Sequence, residues 1–365
     1  MTKPTSTYGK GAPTYPLSER EREILRLVVK SFVRTAGPVG SRFLAKTFPI
    51  GLSPASIRNT MSDLEDMGYL DHPYTSAGRV PTELGYRVFV DELMESVELS
   101  ESEKQLLRRE LEALMGDTEE MMRESSRLLG RLSSLLAVVL SPRLSTGVLD
   151  RLEVVPLSSK RAMIVISVRG GLLRTIVVEL DVELRRPQLD RVVSVLNERL
   201  VGLTLAEIRN TYASRLRDLE DDETGIVRLV LNENAQLFSE QPESRRISLS
   251  GTQNIIAQPE FQDPDQLREV VKLLEDESVV VQLLEDAGEA AEDAPVIRIG
   301  RENAAEYAGR YSIVTAPYHL GQTRGTIGVI GPMRMDYPRV VALVQGMAAL
   351  LSRPSEDEDQ PSSTP

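Results

Sequence analysis

Ser53, Ser56, Arg58, Asn59 and Ser62 are hydrogen-bonding side chains interleaved with Ile57, Met61 and Leu64. The apolar residues are four and three apart, so they share the buried face of a helix and leave the polar set outside. Those residue types suit the reading of a DNA duplex. Arginine offers two parallel donors to a guanine and asparagine pairs bidentately with adenine, each contact worth roughly 1–3 kcal/mol of discrimination. Ser53 and Ser56, near the helix start, can donate to phosphate or base, helped by the positive end of the helix dipole. Upstream, Arg42 is a candidate phosphate clamp; downstream, Arg79 beside Gly78 is a candidate minor-groove or backbone probe, and Thr75 and Ser76 can add phosphate contacts. Plainer roles stand beside these. Ser53 is first of all an N-cap, Arg58 also reads as a solvated arginine, and Asn59 as a residue holding the turn through the backbone.

The elements that must carry this cluster follow in order. Ser18 and Glu21 make a capping box, and Ile24, Leu27, Val28 and Phe32 recur at helical spacing until Gly37-Pro38. A short second helix runs over about 41–47, capped by Ser41, with Leu44 and Phe48 inward. Pro54 opens the third at a position where its missing N–H costs nothing, and Gly68 ends it. Tyr69 to His72 and Arg79-Val80-Pro81 read as two short strands around a turn, a ribbon that suggests a winged helix. Thr82 then caps a helix with Tyr86, Phe89, Leu93 and Val97 on one face.

Farther on, Ser100 and Glu103 open a helical region to about Leu140, broken near Gly116-Asp117. Ala162 to Val168 and Leu172 to Leu180 read as a β-hairpin. Helices are expected over 187–219, 224–239 and 264–277, with 245–262 extended and an apolar segment over 279–284. Residues 296–299, 311–316 and 326–330 are strand-like, and a helix over 338–351 closes the fold. The polar ends, 1–16 and 353–365, are expected to be disordered.

The chain of 365 residues carries a net charge of −12, yet residues 1–60 hold ten Lys/Arg against three Asp/Glu, leaving −19 for the rest. No acidic residue occurs from Ile24 to Ser62, whereas Arg26, Lys30, Arg34, Arg42, Lys46 and Arg58 are basic. A basic front end on an acidic chain implies polyanion binding through that end, with strong salt dependence. The length implies two or three domains. No apolar run approaches the roughly 20 residues of a membrane helix, and the N-terminus lacks the apolar core of a signal peptide. The absence of cysteine excludes disulfides and thiolate chemistry and fits a cytoplasmic protein. Aromatic residues at 4% argue against base stacking as the main grip on nucleic acid.

Taken together, Gly37-Pro38-Val39-Gly40-Ser41-Arg42, the segment Leu52 to Leu70, Thr75-Ser76-Ala77-Gly78-Arg79-Val80-Pro81-Thr82, Tyr86-Arg87 and Val90-Asp91 resemble the HrcA family of bacterial heat-inducible transcription repressors. Ile299-Gly300-Arg301-Glu302-Asn303 and Gly331-Pro332-Met333-Arg334-Met335-Asp336-Tyr337 extend the likeness over about residues 18–350. The resemblance implies an α+β multidomain protein. Its parts are an N-terminal winged helix-turn-helix (17–97), a GAF-like α/β domain with an antiparallel sheet and connecting helices (98–185 and 291–352), and an inserted, mostly helical dimerisation domain (186–290). It also implies a homodimer that represses chaperone genes from an inverted-repeat operator in double-stranded DNA, with activity dependent on the GroEL-type chaperonin and lost on heating. An inverted repeat requires a two-fold protein. Val192, Val195, Leu196 and Leu200 form a helical stripe that either a dimer seam or core packing explains.

Enzymatic chemistry is not expected. The histidines are His72 and His319 alone, with no evident nucleophile and no cysteine, so zinc-finger and thiolate sites are excluded. Walker-type phosphate loops are absent, and Gly325 to Gly331 reads as a strand with turns. No cofactor, metal or membrane partner is expected. The alternative to a plain repressor is a regulator whose GAF-like pocket senses a small molecule.

Overall fold

The computed structural model describes residues 16–73, 78–112, 114, 118–179, 186–216, 227, 238, 246–289, 294–303 and 309–352. Helix α1 (Glu19–Thr35) starts at the expected capping box, in which Ser18 Oγ accepts from the Glu21 N–H and the Glu21 carboxylate accepts from the Ser18 N–H. Helices α2 (Ser41–Thr47) and α3 (Pro54–Asp66) follow. The cap of α2 is Gly40, not Ser41, which is the first helical residue. Strands β1 (Leu70–Asp71) and β2 (Val80–Pro81) form an antiparallel ribbon. Val39 exchanges two backbone hydrogen bonds of 2.9 Å with Arg79, stitching the α1–α2 turn to that ribbon. Gly78 permits the approach, since a Cβ there would lie 2.4 Å from the Val39 carbonyl.

Helix α4 (Glu83–Val88), capped by Thr82, ends in a π-turn over Phe89–Leu93. The chain then leaves the helix at Met94, so Val97 is not on the expected helix face and is 49% exposed. The acids at this exit turn back to α1, Glu92 to Arg22 and Glu95 to Arg26.

Helices α5 (Glu101–Glu112) and α6 (Thr118–Ser133) lead into the sheet. The helical region expected to reach Leu140 stops earlier: Ser134 adopts a left-handed φ of 55°, and Leu136–Leu140 is strand β3. All five side chains are buried, so the strand shows no polar alternation. Leu136, Val138 and Leu140 join one core, Ala137 and Val139 the other.

Strand β3 belongs to a five-stranded antiparallel sheet of order β7-β3-β10-β9-β8, with β7 (Ile247–Ser250), β8 (Val296–Ile299), β9 (Tyr311–Leu320) and β10 (Thr323–Pro332). Gly325 to Gly331 lies in β10 as expected, whereas His319 lies in β9 and not in a loop. One face packs α6 and α12 (Tyr337–Leu351), in a core continuous with α1–α4. The other packs α9 (Thr252–Ile256), α10 (Pro264–Glu275) and α11 (Glu277–Glu289). Residues 245–262 are therefore not simply extended: β7, α9 and a 3-10 turn at Pro259–Phe261 fall within them.

A second sheet, β4 (Leu149–Pro156), β5 (Arg161–Val168) and β6 (Leu172–Glu179), packs with α7 (Arg186–Leu200) and α8 (Leu205–Leu216) into a separate core. The helix expected over 187–219 is thus two, parted at Gly202 with φ 86°. Leu196 and Leu200 are fully buried in this core, so packing accounts for their place in the α7 stripe. The cores divide elsewhere than at the boundaries expected for an insertion over 186–290. Strands at 149–179 share a core with the helices at 186–216, while β7 and α9–α11 serve the five-stranded sheet. Local periodicity identifies a strand but not the sheet it joins. The expected helix over 224–239 (only 227 and 238 aside), the acidic run 218–223 and the two arms (residue 16 aside) lie outside the described residues.

Candidate nucleic-acid interface

The start of α3 borders a recess of about 850 Å³. Ser53 caps the helix, its Oγ accepting from the Ser56 N–H at 3.1 Å, and Pro54 takes the first helical position. Ile57, Thr60, Met61 and Leu64 are buried, which leaves Arg58, Asn59 and Ser62 exposed. Ser53, Arg58 and Asn59 line the recess with Arg42 of α2 and Arg79 of the ribbon. Ser56 and Ser62 do not reach that lining. Ser56 is engaged from α1: Arg20 Nη2 donates to its carbonyl at 2.7 Å and to its hydroxyl at 2.6 Å. Its oxygen ties two helices together, and only its proton remains to donate.

Arg79 is turned inward and does not project as a probe. Its Nη2 lies 2.6 Å from Glu65 of α3, a carboxylate that His72 also contacts, and its side chain is 23% exposed. Thr75 and Ser76 lie outside the described residues. Glu65, Asp71 and His72 bring three potential metal-ligand atoms within 4.8 Å of one another. The Arg79 guanidinium on the same carboxylate opposes any further cation there.

The acid-free window does not act as one block of charge. Within it Arg26 pairs with Glu23 at 2.6 Å and Glu95 at 2.7 Å and Lys30 with Glu95 at 3.8 Å, and just ahead of it Arg22 pairs with Glu92 at 2.6 Å. Arg34, Arg42, Lys46 and Arg58 are exposed and have no ion pair among the described residues. The sequence reading passes over Lys46 as a DNA ligand. Its signal is the spacing of four from Arg42, which puts both on one side of α2. Arg20 is also passed over, hidden in the alternation Glu19-Arg20-Glu21-Arg22-Glu23.

This unit is fastened to the five-stranded sheet by two arginines. Arg87 of α4, 6% exposed, donates to both Glu302 oxygens at 2.9 and 2.5 Å, to the Ile297 carbonyl at 2.8 Å and to Asp91 at 3.1 Å. Arg334 donates to Glu260 at 2.5 and 3.2 Å, to Gln258 at 3.1 Å and to the Val33 carbonyl near the end of α1 at 2.9 Å. Between them Tyr86 and Tyr337 pack with ring centroids 6.0 Å apart. Burial pushes the Tyr337 hydroxyl far above the ordinary tyrosine range, so it stays a neutral donor, to the Met333 carbonyl at 2.8 Å.

The polar helix face lies beside cations that have no ion pair among the described residues, and the relatives named below are transcription repressors. A family model for the HrcA protein C terminal domain matches residues 119–341. The chain is 43% identical over 349 residues to the heat-inducible transcription repressor HrcA of Chlorobium phaeobacteroides (strain BS1), covering 93% of this chain and 98% of that one. With the HrcA of Chlorobium limicola (strain DSM 245 / NBRC 103803 / 6330) it shares 42% over 346 residues, 92% of this chain and 97% of that one. The chain belongs to the HrcA family of heat-inducible transcription repressors. A solved structure described as a hypothetical protein has the same fold, with a TM-score of 0.61 at 20% identity over 92% of this chain and 98% of that one. Among the described residues, no helix is long and apolar enough to cross a membrane.

Proposed function

We propose that this chain represses heat-shock (chaperone) genes as a cytoplasmic homodimer on an inverted-repeat operator in double-stranded DNA, with α1–α3 and the β1–β2 ribbon acting as a winged helix-turn-helix. The observation that carries this reading is the exposed Arg58-Asn59 pair, sharing one recess with Arg42, with Lys46 a turn farther along α2 and no ion pair on Arg42, Lys46 or Arg58 among the described residues. Arg58 and Asn59 read base edges. Ser53, Arg42 and Lys46 hold phosphates. Ser56, Ser62, Thr75 and Ser76 add lesser contacts, and Arg79 joins them once it releases Glu65.

Dimerisation is assigned to the outer face of β4-β5-β6. The register sets Val155, Met163 and Val177 side by side, and Arg151, Ser167 and Leu173 in another row. Leu173 is 61% exposed and Val177 49%, apolar side chains set among Arg151, Glu153, Ser167 and Thr175 that a second copy would cover. The five-stranded antiparallel sheet interrupted by this unit corresponds to the GAF-like domain with its insertion. Heat depletes the DNA-competent dimer and the GroEL-type chaperonin restores it.

Gel shifts on chaperone-gene promoter fragments test the DNA reading. Arg58→Ala should weaken operator binding by about 10- to 100-fold, the loss of one bidentate base contact. Binding to non-operator DNA should change by about threefold or less, as for one lost phosphate charge. Equal losses on both would reduce Arg58 to a phosphate contact.

A further inference from the structure

Two arginines approach α3 from opposite sides. Ser56 and Glu65 are nine residues apart on that helix, about two and a half turns, so they mark its two flanks, with Asn59 and Ser62 on the face between them. Arg79 of the ribbon is held on the Glu65 flank by a carboxylate at 2.6 Å. Arg20 of α1 is held on the Ser56 flank by neutral oxygens, its Nη2 donating to the carbonyl at 2.7 Å and to the hydroxyl at 2.6 Å. Arg20 is exposed and makes no ion pair among the described residues. The adjoining acids, Glu19 and Glu21, do not pair with it, because neighbours one apart on a helix do not face each other. The Glu21 carboxylate instead accepts from the Ser18 N–H and hydroxyl, each at 2.7 Å. Arg22, two residues on, is turned to Glu92 at 2.6 Å and to the Leu17 carbonyl at 3.2 Å. Arg20 therefore stands in the first turn of α1 and against the first turn of α3. These are the positive ends of two helix dipoles, where a cation is disfavoured and an anion is stabilised.

We propose that Arg20 is a ligand of a DNA backbone phosphate on the Ser56 flank of α3. The assignment rests on the DNA reading given above and adds to it a contact from α1. A helix roughly 10–12 Å across fills a major groove of about 12 Å, so its outer face meets base edges while groups on its flanks meet the backbone. A guanidinium carries N–H donors on all three nitrogens. Nη2 serves Ser56, and the donors on Nη1 and Nε have no partner among the described residues. Phosphate oxygens suit them. One side chain thereby braces the reading helix and neutralises the strand beside it. Ser56 contributes to binding through Arg20, by fixing where the guanidinium sits. The two flanks are unequal: the cation on one is answered by Glu65, and the cation on the other is left for the duplex.

The test uses the full chain on a chaperone-gene promoter duplex and on a non-operator duplex of equal length, with affinity measured against sodium chloride concentration. Arg20→Gln keeps an amide donor for Ser56 and removes the charge. It should lower the slope of log affinity against log salt by about 0.9 on both duplexes. Between about 50 and 200 mM salt the parent should then lose about 3.5-fold more affinity than the variant. Arg20→Lys should keep the parent slope, and so should Arg22→Gln, which removes a cation already paired with Glu92. A second measurement needs no variant. Phenylglyoxal should modify Arg20 in the free parent chain, and saturating duplex should suppress that modification, read by peptide mass spectrometry. The assignment alone is overturned if the parent binds DNA but Arg20→Gln keeps its slope, which would leave Arg20 a brace for α3. Equal falls in slope for Arg20→Gln and Arg22→Gln, a fall in Arg20→Lys as large as in Arg20→Gln, or equal modification of Arg20 with and without duplex would also overturn it. A parent chain that binds neither duplex at any salt overturns the DNA reading and this assignment with it.

Discussion

Helix α3 and the outer face of β4-β5-β6 are both left uncovered by the other described residues, in chemically different ways. The helix buries Ile57, Met61 and Leu64 and shows Arg58, Asn59 and Ser62, which is what any half-buried helix does. The sheet buries Ile164 and Ile166 inside and still shows Val155, Leu173 and Val177 outside. An antiparallel sheet with one solvated face normally alternates apolar and polar residues, and this one departs from that rule at Val155, Met163, Val165, Leu173 and Val177 while keeping it at Arg151, Glu153, Ser167 and Thr175. Exposed polarity is therefore uninformative until it is noticed that Arg42, Lys46 and Arg58 have no ion pair among the described residues. Exposed apolar surface on a folded sheet points to a partner directly.

The two surfaces act as one only if the body between them is rigid, and Arg87 is the first place to break it. Arg87→Ala takes the guanidinium from the Ile297 carbonyl and from Glu302, which keeps only the Ile299 N–H as donor among the described residues. Loss of one partner of such a pair costs about 3–5 kcal/mol, which chemical denaturation followed by circular dichroism would show. A cost below about 1 kcal/mol, the range of exposed pairs, would mean that Arg334 and the apolar packing hold the joint without Arg87.

The sheet surface is tested next by the double substitution Leu173→Asp with Val177→Asp. Both side chains are already solvent-facing within one chain, so the fold of the monomer should persist. The dimer should dissociate in sedimentation experiments, and operator affinity should fall by about 100-fold as the second half-site ceases to be linked to the first. A variant that stays dimeric would move the seam elsewhere. A monomer that still binds the operator at full affinity would remove the need for two-fold symmetry.

The front of the molecule was legible because caps and apolar spacing coincide. Ser18 with Glu21, and Ser53 with Pro54, mark the starts of helices whose buried faces recur at the right interval. Strand β3 was illegible because it is buried on both faces and follows a helix directly. The neutralised state of Arg26 and Lys30 was hidden for another reason. Glu95 is a chain neighbour of neither, and only the exit from the α4 π-turn brings it back to α1. Residues that read only as marks of resemblance proved to have a physical task. Arg87 and Glu302, 215 positions apart, meet as an ion pair, and Arg334 holds the end of α1.

That division of cations yields the finest test of the contrast, through the salt dependence of DNA binding. A lysine or arginine that neutralises a phosphate contributes roughly 0.9 to the slope of log affinity against log salt. Arg42→Ala and Lys46→Ala should each lower that slope by about this amount, equally on operator and non-operator DNA. Arg26→Ala removes a cation of the same acid-free window, but one that Glu23 and Glu95 already answer. Its slope should not move, and its stability should fall by no more than the roughly 1 kcal/mol of a partly exposed ion pair. If all three substitutions changed the slope alike, the DNA would be sensing the net charge of the basic front end. Only a difference between α2 and α1 shows that the fold has sorted these charges, directing some to the duplex and closing others into pairs.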